Sequence, residues 1–150
     1  QMARKGVMSS DLLKSLESIQ FYSEEPPKSL GIEFVENTVM PIINNKTLSP
    51  HDLLSTWIEH CALRISAELP AHKSHRTLIT GGGAFNTYLI ERLKEKTTHQ
   101  LFIPNALLVN YKEALIFALL GLLKITGKDN CLASVTGAEK DHSSGKIYIP

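Results

Sequence analysis

Three consecutive glycines, Gly81, Gly82 and Gly83, offer the clearest place in this sequence for a ligand to approach the backbone. A β-rich run at residues 77–80 precedes them, and a helical pattern begins at Thr87. Glycine has no side chain to keep a phosphate or sugar away, and a helix start offers free N–H groups to an anion. The pattern indicates a nucleotide or anion site, although glycines also serve tight packing of a strand against a helix.

Spacing excludes two familiar nucleotide motifs. Asn86 stands where a dinucleotide fingerprint would require another glycine, and no Gly-Lys-Ser/Thr sequence completes a phosphate loop. Asn86 is more typical of a helix cap, whose side-chain oxygen accepts a hydrogen bond from the first turn. The turn therefore predicts neither a Rossmann dehydrogenase nor a P-loop enzyme.

Glu113 is a second candidate for chemistry. It follows Asn110 by three positions at the start of an apolar helical pattern over residues 110–125. The local sequence favours an Asn-x-x-Glu capping arrangement, and a carboxylate aimed at a cleft is the alternative.

Helices are predicted on both sides of the glycine turn. Ser9 and Ser10 are caps for a helix that ends near Tyr22, and a second helical pattern runs over residues 30–43 until Pro41 bends or ends it. Ser49 and a proline in the first turn begin a long helix that closes at residue 70, with Trp57 on its core stripe.

A β-α-β unit is predicted over residues 77–105, with its strands at residues 77–80 and 100–103 and a helix at residues 87–96 between them. Short apolar strands of this kind suit a parallel sheet covered on both faces. The following helix, at residues 110–125, is apolar nearly all round and too short to cross a bilayer, which predicts a central buried helix. A final strand is expected at residues 146–149. The fold class is α/β with helices in excess.

Composition limits the classes of partner. The chain has 150 residues, 43% of them hydrophobic, and a net charge of +1, which predicts one domain without a field that attracts nucleic acid or a membrane. Cys61 and Cys131 lack metal-type spacing and are expected to be buried thiols in a reducing compartment. No metal site is predicted.

Several ordered blocks resemble the C-terminal part of the anhydro-N-acetylmuramic acid kinase family. They are Pro-Pro-Lys-Ser-Leu-Gly at residues 26–31, Thr-Gly-Gly-Gly-Ala-Phe-Asn at residues 80–86 and Lys-Glu-Ala-Leu-Ile-Phe-Ala at residues 112–118. Ser-Val-Thr-Gly-Ala at residues 134–138 and Ser-Gly-Lys-Ile-Tyr at residues 144–148 resemble the family's ending. The resemblance covers nearly all of residues 1–150, but only the later portion of a family member.

The resemblance implies a helix-rich C-terminal nucleotide-binding domain of an actin-like (ribonuclease H-like) sugar-kinase fold with a short, largely parallel sheet. The family uses ATP and Mg²⁺ to open 1,6-anhydro-N-acetylmuramic acid and phosphorylate its 6-oxygen, in the recycling of peptidoglycan. The catalytic aspartate belongs to an N-terminal domain absent here, so no catalytic residue is assigned and this chain alone is expected to be inactive. A cytoplasmic location and a homodimer are also implied.

Residue by residue, the resemblance places Gly81, Gly82 and Gly83 on the adenosine side of the ATP cleft, with Asn86 at its edge and Glu113 near the sugar. Phe85 stands where the family usually has histidine, and could line a base or pack inward. The alternative is a degenerate or different-substrate ATP-binding domain of the same superfamily that acts in assembly or regulation.

Overall fold

The computed structural model describes residues 2–25, 28–69 and 76–148, which form two compact units. The first comprises Gln1–Ile79 and Gly83–Phe102, and the second comprises Thr80–Gly82 and Ile103–Pro150. Pro26 and Pro27 of the double-proline block lie outside the described residues. The helix-rich α/β composition with a short parallel sheet is confirmed.

The first unit begins with a capped helix, α1 (Ser10–Glu17). The Leu12 N–H donates to the Ser9 hydroxyl at 3.3 Å, as the serine cap predicts. The helix ends earlier than expected, and a 3₁₀ turn at Gln20–Ser23 continues the chain.

A composite helix follows, in which α2 (Ile32–Phe34) and α3 (Met40–Asn44) are joined by a π-helical turn at Val35–Val39. Pro41 lies inside α3 and does not end it, so of the two predicted outcomes, a bend or an end, the end is wrong. Proline in a regular helix meets the carbonyl four residues before it, and the wider turn ahead of Pro41 relieves that conflict.

Leucines of α1 form the centre of the first unit's core. Leu12 and Leu16 are fully buried, and Ile19 and Val39 join them. Partly buried apolar side chains surround this cluster, among them Phe21, Tyr22, Phe34, Ile42, Ile43, Leu48, Leu53 and Trp57. Full burial of a leucine-sized side chain stabilises a fold by roughly 1.5–3 kcal/mol, so Leu12 and Leu16 contribute strongly to the stability of the first unit.

The long helix α4 (Pro50–Ala67) begins as predicted, because the Asp52 N–H donates to the Ser49 hydroxyl at 3.2 Å. Its buried side is more polar than the predicted apolar stripe. Besides Ile58 and Ala62 it buries Ser55, Thr56, Glu59 and His60, while Leu54 and Ile65 are exposed. Buried polar groups require hydrogen-bond partners, and these connect α4 to its neighbours.

The N-terminal segment packs closely along the start of α4. The Ser9 N–H donates to the Thr56 hydroxyl at 2.9 Å, and the Val7 N–H donates to the Asp52 carboxylate at 2.7 Å. A Cβ placed on Gly6 would stand 2.0 Å from the His51 carbonyl oxygen. Only glycine therefore permits this approach of backbone to backbone.

His60 joins three elements of the first unit. Its Nδ1 lies 2.5 Å from Glu17 Oε1, and its Nε2 lies 2.9 Å from the Tyr22 hydroxyl, while Arg64 also pairs with Glu17. Burial lowers the pKa of His60 below its ordinary value, although the Glu17 carboxylate opposes this shift. The neutral ring, donating from Nδ1 to Glu17 and accepting at Nε2 from Tyr22, satisfies both contacts.

The β-α-β unit is confirmed. Strand β1 (Arg76–Leu78) pairs in parallel with β2 (Gln100–Phe102), and α5 (Thr87–Lys96) connects them with the predicted bounds. Helix α5 is tied to α4 by Arg92, whose guanidinium donates to Glu59 at 2.7 Å, and by Lys96 on the same carboxylate. The prediction that the sheet is covered on both faces is wrong, because Leu78 and Phe102 are exposed.

The second unit is built around α6 (Ala106–Ile125), which differs from the predicted central buried helix. Only Val109 of its residues is buried. With 20 mostly apolar residues, α6 is also long and apolar enough to cross a membrane, contrary to the length estimated from the sequence. Length and composition alone are weak evidence for such a span, since core helices of soluble proteins meet the same criterion.

The end of the second unit folds back onto α6 through Asn130. The Asn130 amide donates to the Leu120 carbonyl at 3.2 Å and accepts from the Ser144 N–H at 2.8 Å. A short helix, α7 (Ala133–Thr136), and an isolated antiparallel bridge between Cys131 and His142 complete the unit. Residues 146–148 form no strand, so that prediction was wrong for the described part of the segment.

Candidate functional site

The glycine turn leaves free space around its backbone. Gly81 has φ 79°, a left-handed conformation that favours glycine, whereas Gly82 and Gly83 have no such requirement. A Cβ added to any of the three would meet nothing within 4 Å. The backbone conformation explains why residue 81 is a glycine. Neither conformation nor packing explains the glycines at positions 82 and 83, whose surface is open to a ligand.

Asn86 caps α5, as its sequence context favours. The Leu89 N–H donates to the Asn86 side-chain oxygen at 3.2 Å. A 3₁₀ turn at Gly82–Phe85 separates the first glycine from this helix start. The glycines thus do not open directly into α5, and the Asn86 side chain already satisfies one of the N–H groups that an anion would use.

Gly81 and Gly82 line a cleft of about 230 Å³ within the second unit. The remaining lining residues come from one stretch of α6: Val109, Asn110, Lys112 and Glu113. The structure therefore brings Glu113 together with two of the three predicted glycines. Gly83 and Asn86 belong to the first unit and are not among the residues that line this cleft.

The capping interpretation of Glu113 was wrong. Helix α6 begins one turn earlier than predicted, and its cap is Asn105, whose side-chain oxygen accepts from the Leu108 N–H at 2.9 Å. Asn110 and Glu113 consequently lie inside the helix, where backbone N–H groups are already bonded. Among the residues that the structure describes, the Glu113 carboxylate has no hydrogen-bond or ion-pair partner.

Asn110 and Lys112 were not predicted as site residues. Asn110 was interpreted as part of a cap, and Lys112 entered only as the first residue of the block at residues 112–118. Their amide and ammonium groups give the cleft hydrogen-bond donors, and Glu113 gives it acceptors. Such a lining suits a ligand rich in hydroxyl or phosphate oxygens.

Phe85 was predicted either to line a base or to pack inward, and it does not pack inward. Its side chain is 53% exposed, whereas the neighbouring Ala84 is buried. Phe85 therefore presents an apolar ring at the surface of the first unit, where family resemblance leads us to expect a histidine.

Within residues 2–25, 28–69 and 76–148, no group of three or more His, Cys, Asp or Glu side chains is placed to hold a metal ion. Cys61 is a free thiol within α4, and burial raises its pKa to about 11, which keeps it protonated and unreactive at neutral pH. The described residues thus offer polar contacts to a ligand and no protein cage for Mg²⁺.

Comparison with known proteins assigns the chain to one family. The family model described as anhydro-N-acetylmuramic acid kinase matches residues 1–150. The anhydro-N-acetylmuramic acid kinase of Sulfurovum sp. (strain NBC37-1) is 32% identical over 153 residues, covering 99% of this chain and 42% of the relative.

Two further relatives bear the same name. That of Mannheimia succiniciproducens is 33% identical, with 97% of this chain and 43% of the relative covered. That of Gloeothece citriformis is 31% identical, with 100% of this chain and 41% of the relative covered. The chain spans about two fifths of the length of the curated relatives it matches. The match over residues 1–150 shows that this chain belongs to the anhydro-N-acetylmuramic acid kinase family.

Proposed function

We propose that this chain is the C-terminal nucleotide-binding domain of a two-domain, ATP-dependent kinase. The complete enzyme would open 1,6-anhydro-N-acetylmuramic acid with water and phosphorylate its 6-oxygen, in cytoplasmic recycling of peptidoglycan. The observation that carries the proposal is the cleft that Gly81, Gly82 and Glu113 line together, in which the Glu113 carboxylate has no partner among the described residues. Phosphoryl transfer depends chiefly on positioning and charge stabilisation, and this domain would supply part of the positioning.

In this proposal the glycine turn is the adenosine-side floor of the ATP cleft. Gly81, Gly82 and Gly83 permit close approach of the nucleotide, since no Cβ stands in the way, and Asn86 lies at the edge while it caps α5. The fold would be the actin-like, ribonuclease H-like arrangement, in which a two-domain closure completes the site.

Glycine substitutions give a direct test of nucleotide binding. A Cβ at Gly82 or at Gly121 meets nothing within 4 Å, and neither residue has a positive φ, so both alanine variants should fold. Calorimetric titration with ATP should show at least fivefold weaker binding for Gly82→Ala than for Gly121→Ala. Equal affinities for the two variants would remove the glycine turn from the nucleotide site.

Glu113 is proposed to accept hydrogen bonds from the sugar. The test replaces the matching two fifths of the Sulfurovum kinase with this chain and assays the chimera. We expect Glu113→Gln to raise KM for the anhydro sugar or lower kcat by tenfold or more, with ATP affinity unchanged. Glu139→Gln, at an exposed position outside the cleft, is the matched control. A fully active Glu113→Gln chimera would contradict the assignment.

The chain alone is proposed to lack turnover, because no catalytic residue is assigned to it. Incubation with ATP, Mg²⁺ and 1,6-anhydro-N-acetylmuramic acid should give no phosphorylated product above background. Product at a rate near that of the chimera would overturn this part of the proposal. Mg²⁺ would reach the cleft with the nucleotide phosphates, since the described residues provide no cluster for it.

A second function is favoured by one observation, the exposed Phe85 in place of the family's usual histidine. A degenerate or different-substrate member would keep the fold for assembly, for regulation or for another sugar. Phe85→His in the chimera separates the two cases. Recovery of ATP binding only in the histidine variant would favour the degenerate interpretation, whereas equal binding by both forms would favour the kinase. A homodimer, proposed from the family resemblance, is checked by sedimentation of the same chimera.

A further inference from the structure

Lys112 is a cation without an acidic partner at the cleft of the second unit. It is half-buried, and it forms no ion pair or hydrogen bond with any residue that the structure describes. An acidic side chain three or four positions away on α6 could reach it, but those positions are all apolar: Leu108, Val109, Leu115 and Ile116. The charge of Lys112 is therefore available to a bound molecule.

The cleft presents this cation beside a carboxylate. Among the described residues that line the cleft, Lys112 is the one basic side chain and Glu113 the one acidic side chain. The two lie roughly 100° apart around α6, and buried Val109 lies between them one turn earlier. They form no ion pair with each other. A ligand in the cleft therefore meets a positively charged donor and a negatively charged acceptor side by side.

This arrangement selects a class of ligand. A triphosphate group carries several negative charges, and the Glu113 carboxylate would repel it. A sugar with one carboxylate and with hydroxyl or amide N–H groups fits better, because its carboxylate needs one cation and its N–H and O–H groups can donate to Glu113. The adenosine end of ATP, proposed to lie at the glycine turn, is uncharged and is not repelled.

We propose that Lys112 is a specificity-determining residue whose ammonium group binds the carboxylate of the sugar substrate. The substrate in the proposed function, 1,6-anhydro-N-acetylmuramic acid, has one acid group, which is ionised at neutral pH. Lysine places a compact charge on a flexible stem, so Lys112 can meet this carboxylate while Glu113 accepts from the rest of the sugar. The inference rests on the proposed function for the identity of the sugar.

Calorimetric titration of the Sulfurovum chimera with two sugars tests the role of Lys112. One sugar is the acid, and the other is its carboxamide, which has nearly the same shape and no charge. The unaltered chimera should bind the acid roughly tenfold more tightly, because a charge-assisted hydrogen bond is stronger than a neutral one. Lys112→Met keeps an apolar stem without the charge, and should bring the two affinities within about twofold by weakening only the acid.

Two further variants separate charge from packing. Lys112→Arg restores a positive charge and should restore the preference for the acid. Lys124→Met is the matched control, because Lys124 is a half-buried lysine of the same helix that lies more than three turns further along, outside the cleft. Lys124→Met should leave both sugar affinities unchanged, and ATP should bind equally to the unaltered chimera and to every variant.

Three results would overturn the proposal. Equal affinities of the unaltered chimera for acid and carboxamide would show that the acid group is not read. An equal loss for both sugars in Lys112→Met would assign Lys112 a structural role. Weaker ATP binding in Lys112→Met, with the sugar preference intact, would assign the cation to the nucleotide phosphates.

The same titrations distinguish this proposal from the proposed function. A chimera that binds the acid through Lys112 but does not phosphorylate it would reject the proposed function and support the role of Lys112. Phosphorylation of the acid by a chimera that binds acid and carboxamide equally would support the proposed function and reject the role of Lys112.

Discussion

The two units of the chain handle their apolar and polar groups differently. The first unit buries complete leucines in α1 and satisfies the polar side chains of α4 with partners from its own elements. The second unit leaves α6 open along most of its length and leaves Glu113 without a partner among the described residues. The difference indicates that the first unit is stabilised by its own contacts, whereas the second unit has few buried apolar side chains of its own.

Removal of a core leucine should show the largest effect. Leu16→Ala in the first unit creates a cavity at a fully buried position and should reduce the free energy of unfolding by about 2–5 kcal/mol. Leu115→Ala in α6 of the free chain should change it by less than about 0.5 kcal/mol. Urea unfolding followed by circular dichroism measures both. Similar losses would break the contrast between the units.

Two glycines provide the next contrast. Gly6→Ala would place a Cβ 2.0 Å from the His51 carbonyl oxygen and should cost about 1–3 kcal/mol through overpacking. Gly82→Ala has free space and should leave the unfolding midpoint within error. Thermal unfolding of the two variants checks this. A destabilised Gly82→Ala would mean that packing, and not ligand approach, explains that glycine.

Glu59 of α4 forms ion pairs with Arg92 and Lys96 of α5, and these pairs test how far partial burial strengthens a contact in the first unit. Burial tends to raise the pKa of Glu59, but hydrogen bonds from Arg92 and Lys96 outweigh it, so that pKa lies below its ordinary value. Glu59→Gln should cost about 1–2 kcal/mol at pH 7, because Lys96 loses its carboxylate partner and Arg92 keeps only its pair with Glu95. Glu91→Gln, which loses the half-exposed pair with Arg4, is the control and should cost less. An equal loss in both would contradict the burial argument.

Acidification should produce the smallest effect, and it should act on the first unit. The pKa of His60 is lower in the folded chain than in the unfolded chain, so between those values the unfolded state binds more protons. The contribution of His60 to the free energy of unfolding is fully present above about pH 6.5, and it decreases as the pH falls below that value. Unfolding midpoints measured at pH 7 and pH 5.5 should differ for the native chain and differ less for His60→Gln. Identical pH dependence in both would exclude His60 as the cause.

Local signals in the sequence predicted much of the first unit. Ser9, Ser49 and Asn86 were recognisable as caps because their side-chain oxygens compete for the first N–H groups of a helix, and all three do so. The β-α-β unit was predictable because strand and helix periodicities differ. The bounds of α5 followed from the same pattern.

Contacts between elements that are distant in the sequence could not be predicted from periodicity. The hydrogen-bonded cluster of Glu17, Tyr22 and buried His60 combines three elements, and no spacing in the sequence indicates it. The apolar pattern of α6 was correct, but an apolar helix can be covered by its own chain or by another surface, and the pattern is the same in both cases. The cap at Asn105 was missed for a local reason, since the helix was assumed to begin at Asn110.

The π-helical turn at Val35–Val39 sets the rotational phase of the helix that contains it. Phe34 and Val39 are five positions apart; Val39 belongs to the core cluster and Phe34 packs against it, although five residues of regular α-helix would separate them by about 140°. The additional residue in this turn returns Val39 to the core side, and Ile42 and Ile43 follow in register. Deletion of one residue between positions 35 and 39 would leave every apolar side chain intact and yet rotate the second half of the helix away from its core.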